Sequence, residues 1–484
     1  MRVAIAVWIV VGAGVLAGCA IGPDYARPPV TEVGTFRGQA TAERASVADL
    51  PWWEAFGDPV LKTLIQEALA NNYDVKIAAA RVEEARAQLG VARSQFFPQI
   101  GYNFAVARSR NPLAAVGVPI AQLEATTNFF AGALSSSWEL DIWGRIRRAN
   151  EAARANLLAT DDARRGVWLT LVSDVAQAYF ELAALDVALG IARDSVEAFQ
   201  GTYDLFQDRL RFGLASRVQT ARAEGALGGA LATIPELKKQ IVAKENQISI
   251  LLGKAPGPIA RGAPMYAQLV TLAVPAGLPS TLLERRPDLR QAEEQLVRAN
   301  ALVGVAKAEF LPKLNLTGVL GTASPEITAV THGGSLVWAV AAGLAGPIFQ
   351  GGRILQNYRA TRAEREQAVL QYQQAVITAL REVADSLTAL AELREAEAGQ
   401  QRSVNGLQDA VALATDRYRF GLASYYEVLE AQQQLYPAEQ TLAQIRRDRL
   451  TSYVQLYKAL GGGWNLSDAE WTGPTEAMSG AGQR

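Results

Sequence analysis

The six residues "RFGLAS" occur twice in the chain, at Arg211–Ser216 and again at Arg419–Ser424. The second copy follows the first after 208 residues (421 minus 213). Other matches lie at nearly the same displacement: "GVARSQFFPQI" (90–100) pairs with "GVAKAEFLPKL" (304–314), and "IWGRI" (142–146) pairs with "GGRI" (351–354). Similarity at a fixed displacement is the signature of repeated structural units. The sequence therefore predicts a tandem duplication.

Both halves show the same order of predicted elements. Each has a helix, two strands of alternating apolar and small or polar residues, a very long helix without proline, and a return helix. The first repeat is predicted at 57–252, with strands near 98–108 and 129–142, a long helix at 144–211 and a return helix at 216–252. The second is predicted at 286–460, with strands near 312–322 and 335–348, a long helix at 352–419 and a return helix at 424–460. A linker and equatorial segment (253–285) separates them, and a tail (461–484) follows.

Heptad spacing along the first long helix predicts a coiled coil. Apolar residues alternate in steps of three and four, an average period of 3.5 that implies left-handed supercoiling. The copy in the second repeat is interrupted by Ser386, Glu397 and Gln400, so its seam is expected to be partly polar. The members of the first seam are Trp168, Leu171, Val175, Ala178, Leu182, Leu185, Leu189, Ala192, Val196, Phe199, Tyr203, Phe206 and Leu210.

The repeated phrase itself predicts the turn between the long helix and the return helix. A glycine just past a helix end commonly adopts a left-handed conformation, and we expect this of Gly213 and Gly421. The leucine after each glycine is expected to pack back on the last helical turn. The serine then begins the return helix as its N-cap, and Gln219 or Glu427 three residues later is expected to complete a capping box.

Composition excludes several functions. Lys plus Arg (47) nearly balance Asp plus Glu (48), so the chain has no basic field that would bind nucleic acid. One His and one Cys are too few for a structural zinc or copper site. The same scarcity nearly excludes catalysis by a Cys/His or Ser/His pair, and nothing marks an all-carboxylate enzyme. We therefore expect no metal, no cofactor and no enzymatic activity.

The N-terminus carries a processing signal. Residues 1–18 combine Arg2 with an apolar stretch that is too short to span a membrane. "LAGC" (16–19) resembles the lipobox of bacterial lipoproteins, so lipidation of Cys19 is favoured over a buried structural thiol. Residues 19–56 would then form a lipid-anchored N-terminal segment. Ala20, rather than Asp, follows the cysteine, which by resemblance to lipoprotein sorting rules favours the outer membrane.

After the signal, no stretch approaches the roughly 18 uninterrupted apolar residues of a membrane helix. Any membrane-spanning region is therefore expected to be built from the four strands. Four strands cannot close a barrel, and open strand edges are not tolerated in lipid, so the strands must pair with other copies of the chain. Two chains would supply eight strands and three would supply twelve. With long helical hairpins continuing from the strands, such an assembly would be a conduit.

Four further motifs carry a family resemblance. "PWWEAFGDPVL" (51–61), "LLERRPDLRQAE" (282–293), "PIFQGGR" (347–353) and "LGGGW" (460–464) together resemble the TolC-like outer-membrane factors, lipoprotein branch, that serve resistance-nodulation-division (RND) efflux pumps. The resemblance implies a mainly α fold with a β-barrel part: a homotrimer with a twelve-stranded barrel and a periplasmic tunnel of helices. It also implies an outer-membrane location in a Gram-negative bacterium, a periplasmic adaptor protein and an inner-membrane RND pump as partners, and passive export of small molecules.

The resemblance also assigns candidate site residues. Carboxylates narrow the closed end in the family, which points to Glu427 and Glu430, although family members usually carry Asp there. Arg222 is expected to pair with Glu430 across neighbouring hairpins, and Tyr418 matches a latching position. Simpler roles stay open: capping for Glu427, packing for Tyr418 and an ordinary exposed charge for Glu430. The adaptor is expected to dock on Arg211, Phe212, Gly213, Leu214, Ala215, Ser216, Arg419, Phe420, Gly421, Leu422, Ala423 and Ser424.

Two other functions remain open at this point. The same fold serves type I protein secretion, although the lipobox and "LGGGW" favour efflux. A lipid-anchored coiled-coil scaffold without a pore is a second alternative, which the four alternating strands disfavour.

Overall fold

The structure, a computed structural model, describes residues 20–30, 34–37, 46–110, 126–264, 281–468 and 470–472. The predicted signal peptide, Cys19 and most of the predicted C-terminal tail lie outside the described residues.

Helices dominate the described chain. The helices are α1 (Trp52–Ala55), α2 (Pro59–Asn71), α3 (Tyr73–Ser94), α4 (Arg145–Arg211), α5 (Arg217–Leu251), α6 (Leu282–Arg285), α7 (Pro287–Ala308), α8 (Arg353–Arg419) and α9 (Tyr425–Ala459). The strands are β1 (Gln99–Arg110), β2 (Thr126–Leu140), β3 (Lys313–Ser324) and β4 (Leu336–Ala345). Short 3₁₀ helices lie at Val47–Asp49, Ile327–Ala329, Gly333–Ser335 and Glu470–Thr472.

The corresponding helices of the two repeats are equal in length. The long helices α4 and α8 each have 67 residues, and the return helices α5 and α9 each have 35. Helices α8 and α9 begin and end 208 residues after α4 and α5 (353 minus 145, 419 minus 211, 425 minus 217, 459 minus 251). The displacement first read from "RFGLAS" therefore holds throughout both hairpins.

The first helix of the first repeat is not continuous, contrary to the sequence-based expectation. It is broken between α2 and α3 at Asn72, which is buried. The Asn72 carboxamide oxygen accepts a hydrogen bond from the Asp74 N–H at 2.7 Å, and its nitrogen donates to the Leu251 carbonyl at 2.9 Å. An asparagine that satisfies local backbone groups competes with helix continuation.

The four strands form one antiparallel sheet in the order β1-β2-β3-β4. The central pair joins the two repeats, because β2 comes from the first and β3 from the second; Ala133 lies opposite Gly321. A Cβ on Gly321 would lie 2.3 Å from the Gly132 carbonyl oxygen, so no larger residue fits there. Strands β1 and β4 are the sheet edges, and every residue of β4 is exposed in the single chain.

The predicted heptad seam of α4 is buried along most of its length. Leu171, Val175, Leu182, Phe199 and Phe206 are among its core members, whereas the last seam residue, Leu210, is 36% exposed. One 18-residue window in this helix is apolar enough to cross a membrane, by length and composition only. Half of that window is buried within the chain, as expected of a helix that packs in a coiled coil.

The polar interruptions of the second seam are hydrogen-bonded. Glu397 accepts hydrogen bonds from Arg446 at 2.9 Å and from Arg449 at 2.7 Å. The Gln400 amide donates to the Ala438 carbonyl at 2.9 Å, and Ser386 donates to a carbonyl of its own helix. Burial would raise the pKa of Glu397, but the two arginine hydrogen bonds outweigh it and hold the pKa below its ordinary value. The polar seam therefore ties α8 to α9 by charge-assisted bonds.

The chain forms two compact units, each of which takes segments from both repeats. Unit one comprises Met1–Pro28, Arg81–Thr160 and Gln291–Tyr372 and contains the whole sheet. Unit two comprises Pro29–Ala80, Asp161–Arg290 and Gln373–Arg484 and contains both helical tips. The repeats are therefore interleaved rather than laid out as successive domains.

Candidate gate and docking tips

The two tips share one backbone geometry. Gly213 and Gly421 both have φ of +71°, the left-handed conformation that glycine adopts without steric cost. The leucine after each glycine donates its N–H to the carbonyl five residues earlier, at 2.8 Å in both tips (Leu214 to Arg209, Leu422 to Arg417). This six-to-one bond and the left-handed glycine define a Schellman motif, which satisfies the last carbonyls of α4 and α8.

Large apolar side chains at the tips face solvent. Phe212 and Phe420 are 79% and 78% exposed, and Leu214 and Leu422 are 75% and 71% exposed. The expectation that the leucines pack back on the last helical turn is therefore wrong. Each tip presents a phenylalanine and a leucine, two residues apart, that no described part of the chain covers.

Helix capping differs between the tips. In the first, Gln219 N–H donates to the Ser216 hydroxyl at 3.4 Å and the Ser216 N–H donates to the Gln219 side chain at 2.8 Å, so the predicted capping box forms. In the second, the Ser424 side chain makes no capping bond, and the prediction is wrong. The Glu427 carboxylate lies instead 3.5 Å from the Arg417 guanidinium. The second tip carries Glu427 where the first carries Gln219. Because the Glu427 carboxylate is charged, Arg417 competes with the capping box for it.

A cluster of aromatic residues links the two hairpins beside the tips. Tyr425, the first residue of α9, makes edge-to-face contacts with Tyr418 (ring centroids 4.8 Å apart) and with Phe206 (5.5 Å). Its hydroxyl lies 2.8 Å from the Thr202 hydroxyl on α4. The Tyr418 hydroxyl is buried and has no hydrogen-bond partner among the described residues.

Two arginines of the first hairpin lie on tyrosine rings of the second. The Arg209 guanidinium is 5.1 Å from the Tyr418 ring centroid, and Arg222 is 5.7 Å from that of Tyr426. Such cation–π contacts hold the charge without a carboxylate. Glu430 is exposed and makes no ion pair with another described residue. The pairing of Arg222 with Glu430 across neighbouring hairpins stays a prediction, since the structure contains one chain.

An apolar cluster lies below the aromatic residues. Phe199, Leu227 and Leu429 are buried together, and Tyr436 packs against them with its ring 5.7 Å from that of Phe199. Burial raises the pKa of the Tyr436 hydroxyl to about 12, and nearby carboxylates add to the shift. Tyr436 therefore stays neutral at physiological pH and supports the tip as a packing residue.

Sequence reasoning missed Arg209, Arg417, Tyr425 and Tyr426 as members of this site. A signal existed: the second tip carries Tyr425–Tyr426, where the first carries Arg217–Val218 at the positions 208 residues earlier. An aromatic pair that replaces an arginine and a valine in otherwise matching tips points to a contact that only one tip makes. Among the described residues, no group of three or more His, Cys, Asp or Glu side chains is placed to hold a metal ion.

Comparison with solved structures assigns this fold to the outer-membrane channels. A CusC structure matches 92% of this chain and 100% of its own length, with 32% identity and a TM-score of 0.82. The open-state MtrE outer membrane channel of Neisseria gonorrhoeae matches 92% of this chain and 99% of its own, with 29% identity and a TM-score of 0.83. The mainly α architecture with a four-stranded sheet is thus that of a channel subunit.

Sequence relatives agree. The cation efflux system protein CusC of Escherichia coli O6:H1 is 34% identical over 453 residues, covering 93% of this chain and 96% of the relative. The efflux pump outer membrane protein TtgC of Pseudomonas putida, described as probable, is 33% identical over 465 residues, covering 94% and 95%. The profile of the family "Outer membrane efflux protein" matches residues 64–254 and 278–462. The chain belongs to this family, which confirms the predicted fold class, outer-membrane location and role in efflux.

Proposed function

We propose that three copies of this chain form a passive duct across the outer membrane and into the periplasm. Each copy contributes four strands to a twelve-stranded barrel and two helical hairpins to a tunnel. Small molecules enter from an inner-membrane RND pump through a periplasmic adaptor protein. The observation that carries the proposal is the match to outer-membrane efflux proteins over almost the whole chain.

The open sheet supports assembly from several chains. Among the described residues, strands β1 and β4 each have one side without a neighbouring strand. In hydrocarbon an unpaired backbone group costs several kcal/mol, so the two edges require each other in neighbouring copies. The exposed apolar side chains of β1 and β4, including Phe104 (78%) and Val340 (81%), suit contact with lipid.

The helical tips support two further roles. Phe212, Leu214, Phe420 and Leu422 form an exposed apolar surface that is suited to docking of the adaptor. The exposed Glu430 lies six residues past Ser424 and supplies a ring of three carboxylates in a trimer. The Tyr418 hydroxyl has no hydrogen-bond partner among the described residues and is buried, so a latch to a neighbouring subunit through this group requires that the side chains around it move.

The cargo is a small molecule, and the pump selects it. Relatives of nearly equal identity are named for efflux of cations, of toluene and of antibiotics. Chains so similar in sequence that serve such different cargo are expected of ducts that do not discriminate strongly. Acylation of Cys19 would add a lipid anchor to the inner leaflet of the outer membrane.

Single-channel recording tests the gate. We expect Glu430→Ala to raise the conductance of the reconstituted channel, because it removes the charged ring that narrows the closed end. The matched control is Glu392→Ala, which removes an exposed carboxylate from α8 far from the tip. A Glu430→Ala channel with unchanged conductance and unchanged ion selectivity contradicts the gate role.

A deletion strain tests the duct. Wild type should restore export of the pump's substrates, measured as the minimal inhibitory concentrations of a panel of drugs, solvents and metal salts. Mass spectrometry of the mature protein tests the anchor separately, since unmodified Cys19 in the mature chain would contradict lipidation. A full restoration of secretion of a protein substrate without any change in susceptibility would refute small-molecule efflux.

A further inference from the structure

One ion pair at the second tip bears on the charge that passing ions meet. Resting on the gate proposed above, we propose that Arg417 cancels the charge of Glu427 at the closed end, so that Glu430 is the carboxylate that acts on passing ions. Arg417 is thereby a residue that determines charge selectivity.

The contact itself joins two helices across the turn. The Arg417 Nε atom on α8 lies 3.5 Å from the Glu427 carboxylate on α9. Both side chains are about half exposed, at 57% and 47%. An exposed pair of this kind adds little to the stability of a fold, so its main consequence is the cancellation of charge.

Comparison of the two tips shows that the Glu427 carboxylate does not make the capping-box bond that Gln219 makes at the first tip. The same backbone at the first tip supports a complete capping box between Ser216 and Gln219, where the third residue of the helix is the uncharged Gln219. At the second tip, "SYYE" has the capping-box pattern, yet Ser424 makes no capping bond and Glu427 is directed to Arg417. The cap is geometrically available and unused, so the cation governs where this carboxylate lies.

The other charges of the tips are held away from Glu427. Arg419 pairs with Asp416 at 3.7 Å and Arg211 pairs with Asp208 at 3.4 Å, each within its own helix. Arg209 and Arg222 lie on the rings of Tyr418 and Tyr426, and Arg217, the first residue of α5, makes no ion pair with another described residue. Among these described contacts, Arg417 is therefore the cation placed on Glu427.

Charge arithmetic gives a sharp expectation for a trimer. Removal of Arg417 leaves three additional uncompensated carboxylates, whereas removal of both Arg417 and Glu427 leaves the net charge unchanged. If the three added charges lie about 10 Å from the axis, at 0.1 M salt they raise the cation-to-anion permeability ratio by about fivefold, by Coulomb's law with screening. The double variant should therefore return to the wild-type ratio.

The experiment measures reversal potentials of reconstituted trimers in a KCl gradient, for Arg417→Gln, Glu427→Gln, their combination, Arg417→Lys and Glu430→Gln. The Arg417→Gln channel should be more cation-selective than wild type, and the Glu427→Gln channel should be less cation-selective than wild type. The combined variant and Arg417→Lys should match wild type. The control is Arg381→Gln, which breaks an exposed ion pair with Asp385 (3.9 Å) on the same helix far from the tip and should match wild type. Heat-stable trimers on gels establish that each variant assembles.

The outcomes separate this inference from the gate itself. If Glu430→Gln shifts the reversal potential but Arg417→Gln does not, the assignment of Arg417 is overturned and the gate stands. If the combined variant behaves like Glu427→Gln alone, Arg417 does not act on the pathway, and the assignment is again overturned. If Glu430→Gln changes neither selectivity nor conductance, the gate proposal fails first.

Discussion

The cluster of Glu397 with Arg446 and Arg449 between α8 and α9 permits a quantitative test. The first repeat has apolar residues at two of the equivalent positions. Subtraction of 208 gives Leu189 for Glu397 and Ile241 for Arg449, and both of these residues are buried. One hairpin is thus held by two charge-assisted bonds where its counterpart is held by apolar packing.

We expect Glu397→Gln to destabilise the protein. The glutamate side chain is 15% exposed and the arginines are 18% and 21% exposed, so the substitution removes the carboxylate that both largely buried cations bind. Loss of one partner of a buried pair costs about 3–5 kcal/mol; Gln keeps one accepting oxygen, so we expect about 2–3 kcal/mol per chain. At roughly 2 °C per kcal/mol for a large chain, the thermal midpoint should fall by about 5 °C.

The triple substitution Glu397→Leu, Arg446→Lys and Arg449→Ile copies the first repeat, whose residue at the third position is Lys238. Glu397 and Arg449 become apolar in this variant, and a lysine at position 446 is expected to reach solvent as the exposed Lys238 does in the first repeat. Replacement of a buried ion pair by apolar residues is often neutral or stabilising, so the triple variant should unfold within about 1 °C of wild type. Glu392→Gln, an exposed carboxylate on the same helix, is the matched control and should have no effect.

The pH dependence follows from the depressed pKa of Glu397. A carboxyl group whose folded pKa lies below its ordinary value of 4.5 stabilises the fold above that value, and this stabilisation is lost as the pH falls through the folded pKa. The gap between wild type and Glu397→Gln should therefore be full at pH 7 and close in acid.

The assay is the thermal midpoint of the helical circular dichroism signal, recorded in detergent at one scan rate because unfolding of such assemblies is often irreversible. A triple variant that loses as much stability as Glu397→Gln would refute the reasoning, since the loss could not then come from buried arginines that have lost their shared carboxylate.

Two further predictions concern the centre of the sheet and the helix caps at the tips. Gly321→Ala should abolish heat-modifiable trimers on gels, because a Cβ there would lie 2.3 Å from the Gly132 carbonyl oxygen at the centre of the sheet; normal trimers would show that the strands can shift. Ser216→Ala should destabilise the first tip by about 1 kcal/mol through loss of its cap, whereas Ser424→Ala should be nearly neutral because that side chain makes no capping bond. Protease cleavage rates at the two tips measure the difference, and equal effects of the two substitutions would contradict it.

Local and periodic features of the fold were readable from the sequence. The 208-residue displacement, the heptads of α4 and the glycines of the two turns each depend on neighbouring residues or on a repeat. The strand pairs were also readable, because alternation and the turn residues between the strands are local signals. The pairing of β2 with β3 depends on residues far apart in the chain, and the break at Asn72 combines a local bond to Asp74 with a distant one to Leu251, so single-sequence patterns do not fully encode either feature.

The candidate site shows the same division. Exposure of the tip leucines was misjudged because the Schellman motif often carries a hydrophobic contact that this chain does not make. The capping prediction failed at Glu427 because Arg417 lies across the turn, ten residues earlier, and a local motif ignores such competitors. Arg209 and Tyr418 meet between different hairpins, and no spacing rule in one sequence predicts that contact.

The equal lengths of the paired helices restrict how such a chain can change in evolution. Deletion of seven residues from each arm of one hairpin would withdraw its tip by about 10 Å, at 1.5 Å per residue. The Thr202–Tyr425 and Arg209–Tyr418 contacts would then be lost, although each hairpin alone would keep its heptad register. Insertions and deletions in the two halves are therefore expected to occur in matched pairs. The hairpins of the two repeats would then keep equal lengths even where their sequences have diverged.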